Sequence, residues 1–428
     1  IRDLPKSTFG ITVDDETGDL IPKYSIPREA NPTVKELKKL AKEAEEVFIA
    51  TDEDREGEAI GYHIAKAIGK DPTQLPRIVF HEITKNAIQH ALKTPRKVDM
   101  DSVDAQQTRR LLDRIVGYKL SPLLASKIQK GLSAGRVQSS TLKLVVERER
   151  EIKAFVPEEY WSIDALFEKD IEASIYDYNG LKIEKMTVKT EADAAEIVAS
   201  AKEESFVVAS LEKTKRKTKT PPPFMTSTLQ QTASSILGFS PKKTMLVAQK
   251  LYEGVKTDKG TMGVITYMRT DSLNLAKEAV ASARDYIKHT YGDKYLPAKA
   301  KNYATKSKGA QEAHEAIRPT MVEFDGKTAA DYLSVDELKL YRLIYNRFLA
   351  CQMTEAELES QTLLFKGDKC TFKASGKKLL FDGFYKVTGY TEKDKLLPEL
   401  EKGQAVSMDE IKKEQHFTEP PARYNEAS

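Results

Sequence analysis

Cysteine is scarce: Cys351 and Cys370 are the only two in 428 residues. Two thiols cannot build a disulfide framework or a four-ligand zinc site. Such sparing use suits a reducing cytoplasm, and no signal peptide is visible. No apolar run approaches the roughly 18 residues that a membrane-spanning helix needs, so no membrane partner is expected. The G-x-x-x-x-G-K-[ST] pattern of an ATP-binding loop is absent. Net charge is only +3, too little to mark a nucleic-acid binder by itself, since such domains usually carry a clear basic bias. Any nucleic-acid surface must therefore come from local sorting of charge.

What is present has a globular balance, 40% hydrophobic and 31% charged. The length exceeds what one compact core organises, so two to four domains are expected. The segment GVITYMRTDS, 263–272, reads as a short buried strand running into a turn. Side chains alternate along a strand, which places Ile265, Tyr267 and Arg269 on one face and Val264, Thr266 and Met268 on the other. A phenol and a guanidinium two residues apart can reach one phosphate, the first to attack it and the second to grip its oxygens in a planar fork. A bare Tyr-x-Arg is more often a half-buried tyrosine beside a solvated arginine.

About 215 residues upstream of Tyr267 lies EEVFIATDEDREGEAIGYHIAKAI, 45–68. Val47 to Ala50 form an apolar run suited to a central parallel strand buried on both faces. A helix follows, with Ala59, Ile60, His63, Ile64, Ala67 and Ile68 at helical spacing. Asp52, Asp54, Glu56 and Glu58 lie between, at the carboxyl end of the strand, where open α/β sheets bind ligands. Two convergent carboxylates suit Mg²⁺, which takes oxygen ligands and often shares a phosphate. Helix-start acids favoured by the dipole would explain Glu56 and Glu58, but not acids at the strand end as well.

Further segments carry chemistry less sharply. The helix AQQTRRLLDRIVGYKL, 105–120, has an apolar stripe at Leu111, Leu112, Ile115 and Val116. Gln106, Arg110 and Arg114 recur every four residues on another face, a row able to track a phosphate backbone. A salt-bridged surface helix is equally open, because Asp113 is in reach of Arg109 and Arg110. In GLSAGRVQS, 131–139, Gly131, Ala134 and Gly135 allow close backbone approach, and Ser133, Arg136 and Gln138 supply donors. Gln249 and Glu253 stand four apart on one helical face. His314, in QEAHEAIRP, precedes Arg318 by one helical turn. The run EKTKRKTKTPPPF, 212–224, reads as a basic linker stiffened by prolines.

Together these segments resemble the type IA DNA topoisomerases, most closely their bacterial topoisomerase I branch. TDEDREGEA (51–59) is similar to the Asp-x-Asp-x-Glu signature of the family's Toprim domain. LLDRIVGYKLSPLL (111–124), GLSAGRVQSSTL (131–142), VEREREIKAFVPEEYW (146–161), ITYMRTDS (265–272) and QEAHEAIRPT (311–320) match in the family's order. Met268, and Gln138 with Ser139, favour this branch over the decatenating one, which usually has Pro and Thr there.

The resemblance implies a multidomain fold of α/β, α and β parts: a Toprim domain joined to a toroidal core of helical domains and a β-rich arch. The expected divisions are Toprim at 1–98, a helical part at 99–154, the arch at 155–220 and again at 355–417, a helical domain carrying the tyrosine at 221–354, and a return into the base at 418–428. It also implies a core fragment, with the family's first Toprim strand, its Glu and its Lys lying upstream of Ile1 and more helices downstream of Ser428. Without that strand, Val47–Ala50 would lose a neighbour. Many members carry C-terminal zinc ribbons; no zinc is expected in this chain.

By the same resemblance Tyr267 is the nucleophile and becomes linked to a 5′ phosphate. Arg269 holds the scissile phosphate, His314 binds that phosphate or relays protons, and Glu253 and Gln249 lie near the cleavage site. Asp52, Asp54 and Glu56 hold Mg²⁺, and no ATP is consumed because the covalent link keeps the bond energy. Arg110, Asp113, Arg114, Tyr118, Lys119, Ser133, Arg136 and Gln138 contact single-stranded DNA. The implied protein is a monomer acting on negatively supercoiled DNA in the bacterial nucleoid. A Toprim nuclease or primase would need the acids but not Tyr267, and a non-catalytic single-strand binder would need neither.

Overall fold

The computed structural model describes all residues except 7, 169, 259, 304–314, 392–393 and 428. His314 therefore lies outside the described residues.

The first part of the chain holds a small hairpin, β1 (Ile11–Val13) with β2 (Leu20–Pro22), and helices α1 (Asn31–Glu43), α2 (Arg55–Ile68) and α3 (Lys85–Lys93). The strand expected over 47–50 does not form. Only Ile49 pairs, in a single parallel bridge to Arg77, through Ile49 N–H to Pro76 O (2.8 Å) and Ile78 N–H to Ile49 O (2.9 Å). Val47 and Phe48 are half-buried and Ala50 is exposed. The physical reason is one-sided pairing: among the described residues no strand flanks Ile49 on the other edge, and two isolated bonds do not make a ladder. Ile60, expected on the buried face of α2, is exposed, because that face is built from Gly57, Gly61 and Ala65 packed close against 49–52.

Two long helices follow, α4 (Met100–Lys127) and α5 (Arg136–Ala154). Asp99 caps α4 by accepting from the Asp101 and Ser102 amides. Of the apolar stripe on α4, Leu111 is buried and Leu112 is exposed; the helix meets its neighbours along a narrower line than its pattern suggests.

Strands β3 (Glu159–Phe167), β4 (Ile171–Tyr178), β5 (Leu181–Lys182) and β6 (Phe206–Thr218), with helix α6 (Glu191–Lys202) before β6, belong to one antiparallel sheet. The chain then builds α7 (Thr226–Leu237), α8 (Pro241–Glu253), the hairpin β7 (Val255–Thr257) and β8 (Gly260–Met262), α9 (Lys277–Tyr291) and α10 (Val335–Gln352). It returns to the same sheet with β9 (Ala356–Lys366), β10 (Cys370–Phe381), β11 (Ala405–Val406) and β12 (Met408–Phe417), in the order β11-β6-β9-β10-β4-β3-β12. Since β11 and β12 sit at opposite ends of that order with only Ser407 between them, the sheet curls until its edges nearly meet. Phe167, Phe206, Phe365 and Phe372 pack together inside the curl. Among the described residues no helix is long and apolar enough to cross a membrane.

Candidate functional site

Tyr267 sits where three stretches of backbone converge. The segment around it is not the alternating strand that its sequence suggests. Only Ile265 forms a bridge, to Pro319, and Val264, Ile265, Thr266, Tyr267 and Met268 are all buried. Both backbone edges are occupied. On one, the Tyr267 amide donates to His81 O (2.9 Å) and the Gly263 amide to Ile83 O (3.0 Å). On the other, the Thr266 amide donates to Arg318 O (2.9 Å) and the Thr320 amide to Val264 O (3.0 Å). Position 263 must be glycine, since a Cβ there would lie 2.5 Å from Tyr252 O.

The Tyr267 hydroxyl donates to Asp54 Oδ2 at 2.8 Å, and Arg269 Nη1 lies 4.0 Å from the same oxygen. Phenol and guanidinium thus meet as expected, though one is buried and the other largely exposed. The turn carrying Arg269 is braced by Thr226, at the start of α7. Its Oγ1 donates to Met268 O (2.7 Å) and accepts from the Thr270 amide (2.9 Å). The edge of the Tyr252 ring packs on Tyr267, with centroids 5.2 Å apart. Burial, then the hydrogen bond and charge of Asp54, hold the Tyr267 phenol well above its ordinary pKa; Arg269 pulls the other way. The phenol is therefore protonated, with its proton aimed at a carboxylate.

Asp54 is also the N-cap of α2: its Oδ1 accepts from the Gly57 amide at 2.8 Å. Asp52 is placed by Arg77, which is fully buried. Arg77 donates to Asp52 O (2.7 Å), Thr51 O (3.0 Å) and Glu58 Oε1 (2.7 Å). The first turn of α2 approaches so closely that a Cβ at Gly57 would fall 1.9 Å from Asp52 O. Burial, then the neighbouring Asp54 charge, raise the Asp52 carboxyl above the usual range, and Glu253 adds to this. Glu58 is not a ligand candidate: it is buried against Arg77 and Arg96. Glu56 accepts from Gln106 of α4 at 2.8 Å. Among the described residues no three carboxylates, histidines or cysteines converge in a way that could hold a metal ion. Asp52 and Asp54 alone remain a two-carboxylate pair whose mutual repulsion a divalent cation would relieve, a donor set that fits Mg²⁺ shared with a phosphate.

A cleft of about 670 Å³ opens beside this centre, lined by Asp54, Arg55, Arg109, Thr226, Gln230 and Arg269 among others. Arg55, Arg109, Arg77 and Thr226 were not singled out from the sequence. Arg77 left one trace, a charge opening the apolar run RIVF; Thr226 left none.

The row expected to track a phosphate backbone has other partners here. Arg110 pairs with Asp3 (2.8 and 3.0 Å) and Arg114 donates to Phe9 O (3.2 Å) and to the carbonyls of Pro5 and Thr8. Tyr118 donates to Lys6 O (2.8 Å), and Lys119 lies over the Phe9 ring. Asp113 binds Arg136 (2.8 and 3.2 Å), not Arg109 or Arg110. Ser133 accepts from Gln138 (3.3 Å), and Gln249 donates to Glu253 (2.6 Å). The neighbouring stripe of α4, through Ser102, Ala105 and Arg109, is the one that lines the cleft.

A family model described as "DNA topoisomerase" matches residues 97–428, and one described as "Toprim domain" matches residues 5–83. The chain is 61% identical over 427 residues to DNA topoisomerase 1 of Campylobacter jejuni, covering all of this chain and 61% of that protein. It is 57% identical over 428 residues to DNA topoisomerase 1 of Helicobacter pylori, covering 58% of that protein. The full-length topoisomerase I structure from Thermotoga maritima superposes with a TM-score of 0.85 at 42% identity, over all of this chain and 68% of that one. The chain thus spans about three fifths of the length of the curated relatives it matches. A buried tyrosine bonded to the second aspartate of a Toprim segment, and these matches along the whole sequence, lead to one conclusion: the chain belongs to the type IA DNA topoisomerase family, on its bacterial topoisomerase I branch.

Proposed function

We propose that this chain carries the cleavage centre of an enzyme that relaxes negatively supercoiled DNA through a transient single-strand break. The observation that carries the reading is the 2.8 Å hydrogen bond from the Tyr267 hydroxyl to Asp54, with Arg269 beside it. A nucleophile within hydrogen-bond reach of a base, next to a cation placed for developing charge, is the arrangement phosphoryl transfer needs.

Asp54 takes the phenolic proton as the Tyr267 oxygen attacks phosphorus. The P–O3′ bond breaks, the 5′ phosphate stays on Tyr267, and the 3′ oxygen leaves and takes up a proton. The exchange is proton-neutral overall and conserves one phosphodiester, so no nucleotide cofactor is needed. Arg269, half in solvent, grips the non-bridging oxygens; His314 is proposed to join it. Glu253 and Gln249, paired on the last turn of α8, border this centre. Asp52 and Asp54 would hold Mg²⁺, with Glu56 swinging from Gln106 if a third carboxylate is engaged. When bound, the ion would neutralise charge on the DNA and organise it for resealing.

The entering strand runs along the cleft past Arg55 and Arg109. The surface continues over Arg110, Asp113, Arg114, Tyr118 and Lys119, and over Ser133, Arg136 and Gln138, once their present partners yield to phosphates. Residues 221–354 act as the unit that carries the tyrosine, and the curled sheet carries that unit. The enzyme acts as a monomer in the bacterial nucleoid. The test uses a single-stranded oligonucleotide labelled at its 3′ end, incubated with the chain and then denatured. Label should migrate with wild-type protein and be absent with Tyr267→Phe, while single-strand affinity stays within about twofold. An adduct that persists in the Phe variant overturns the assignment.

A further inference from the structure

Strand passage would require the tyrosine-bearing part to leave the Toprim part while each holds one broken end. The seam between them is thin. Among the described residues two backbone hydrogen bonds cross it, from Tyr267 to His81 and from Gly263 to Ile83. Beside them is a cavity of about 870 Å³ lined from one side by Phe80 and Glu82 and from the other by Met321 and Phe348. Ile83 packs on the tyrosine-side core, and polar contacts cross the seam beside it.

One such contact is the ion pair between Arg318 Nη2 and Glu82 Oε2, at 3.0 Å. Its two ends differ. Arg318 is 5% exposed and keeps a bidentate partner in its own segment, with Nε to Glu315 Oε1 at 2.6 Å and Nη2 to Glu315 Oε2 at 2.9 Å. Glu82 has a side chain 22% exposed and lies at the edge of the cavity. Separation would return Glu82 to water and leave Arg318 paired with Glu315. The usual penalty for breaking a buried ion pair, an uncompensated buried charge, is thereby avoided.

We infer that Glu82 and Arg318 form a releasable latch that holds the tyrosine segment against the Toprim part and sets the balance between closed and open forms. They are positioning residues: the backbone of Arg318 fixes Thr266, next to Tyr267, and its side chain ties that strip to the other side. The inference rests on the proposed relaxation of DNA through a transient single-strand break, but its test needs no DNA.

Donor and acceptor dyes are placed on Lys39→Cys and Lys288→Cys, both exposed; the native Cys351 and Cys370 are buried and do not compete for label. Single-molecule energy transfer then reads the distance between the two parts. Glu82→Gln should raise the open-to-closed ratio by roughly two- to 150-fold, the range of couplings within one ion-pair network, while circular dichroism stays that of the wild type. Glu82→Asp, which keeps the charge but withdraws it by one methylene, should give a smaller rise, and carries the test alone if the Gln variant does not fold. Distance distributions unchanged from wild type overturn the latch and leave the cleavage assignment standing. Loss of the adduct assay with the latch intact does the reverse.

Discussion

The segment around Tyr267 and the helix α5 are held in opposite ways. Residues 264–268 have almost no regular secondary structure, yet every one is buried, and neighbours from three distant parts of the chain fix their backbone. Helix α5 is regular over nineteen residues and buries none of them. It stands on local terms: good helix formers, and pairs such as Lys143–Glu147 (3.7 Å) and Arg148–Glu151 (3.3 Å) on successive turns. The tyrosine segment stands on tertiary terms alone. The second arrangement suits the role proposed for Tyr267, because its position is over-determined by packing and hydrogen bonds from several sides.

Breaking a buried tie near the site should therefore cost far more than breaking an exposed one on α5. The largest stability effect is expected at Glu58→Ala, which strips the fully buried Arg77 of its carboxylate partner. About 3–5 kcal/mol should be lost, read from urea unfolding, and the Asp52 backbone should be displaced with it. Glu149→Ala, which removes an exposed pair with Arg423, should leave the urea midpoint unmoved. Equal shifts for the two would erase the contrast.

Apolar truncations should repeat the pattern. Leu251→Ala, in the core beneath Tyr267, should cost about 2–5 kcal/mol, since Leu251 is fully buried and its carbonyl receives the Val264 amide at 2.8 Å. Leu142→Ala on α5, where the side chain is 61% exposed, should fall within about 0.5 kcal/mol. A large loss at Leu142 would mean that α5 is covered in solution.

A smaller effect concerns acid. Burial, then the charge of Arg2, push the His63 imidazole down to about 4. The unfolded chain binds this proton more readily than the folded one. The contribution is present above the unfolded value near 6.5 and is lost as pH falls toward 4, by up to about 3 kcal/mol. The pH dependence of urea midpoints over that window should flatten in His63→Gln. An unchanged slope would place the acid lability elsewhere.

Much of the site was legible without coordinates, because its chemistry is written in residue type and short spacing. Tyr267 and Arg269 two apart, and Asp52 and Asp54 two apart, point to a phosphate and a cation, and the matched motifs extend that to the family. The hydrogen bond from Gln249 to Glu253 follows from their spacing of four on one helical face. The failures were of another kind. A continuous apolar run suggested a strand at 47–50, and a short buried strand was expected within 263–272, but a strand is completed by its neighbours, and each stretch finds only single bridges. The basic row of α4 was visible, while its pairing with Asp3 and the carbonyls of residues 5–9 was not, since those partners lie about a hundred residues away in sequence.

The sequence by itself pointed to helices α2 and α4, to the paired tyrosine, arginine and aspartates and to the family, because each rests on patterns a few residues long; the helical turn expected before Arg318 is absent over Glu315–Arg318, where Ile317 pairs with Phe224 instead. Only the tertiary structure decided that the Tyr267 proton is aimed at Asp54, that Arg77 and Gly57 place Asp52, and that Arg318 ties to Glu82. Apart from Gly57, which is close to Asp52 in sequence, these depend on backbone segments separated by tens to hundreds of residues, brought within 3 Å by packing that no local pattern encodes.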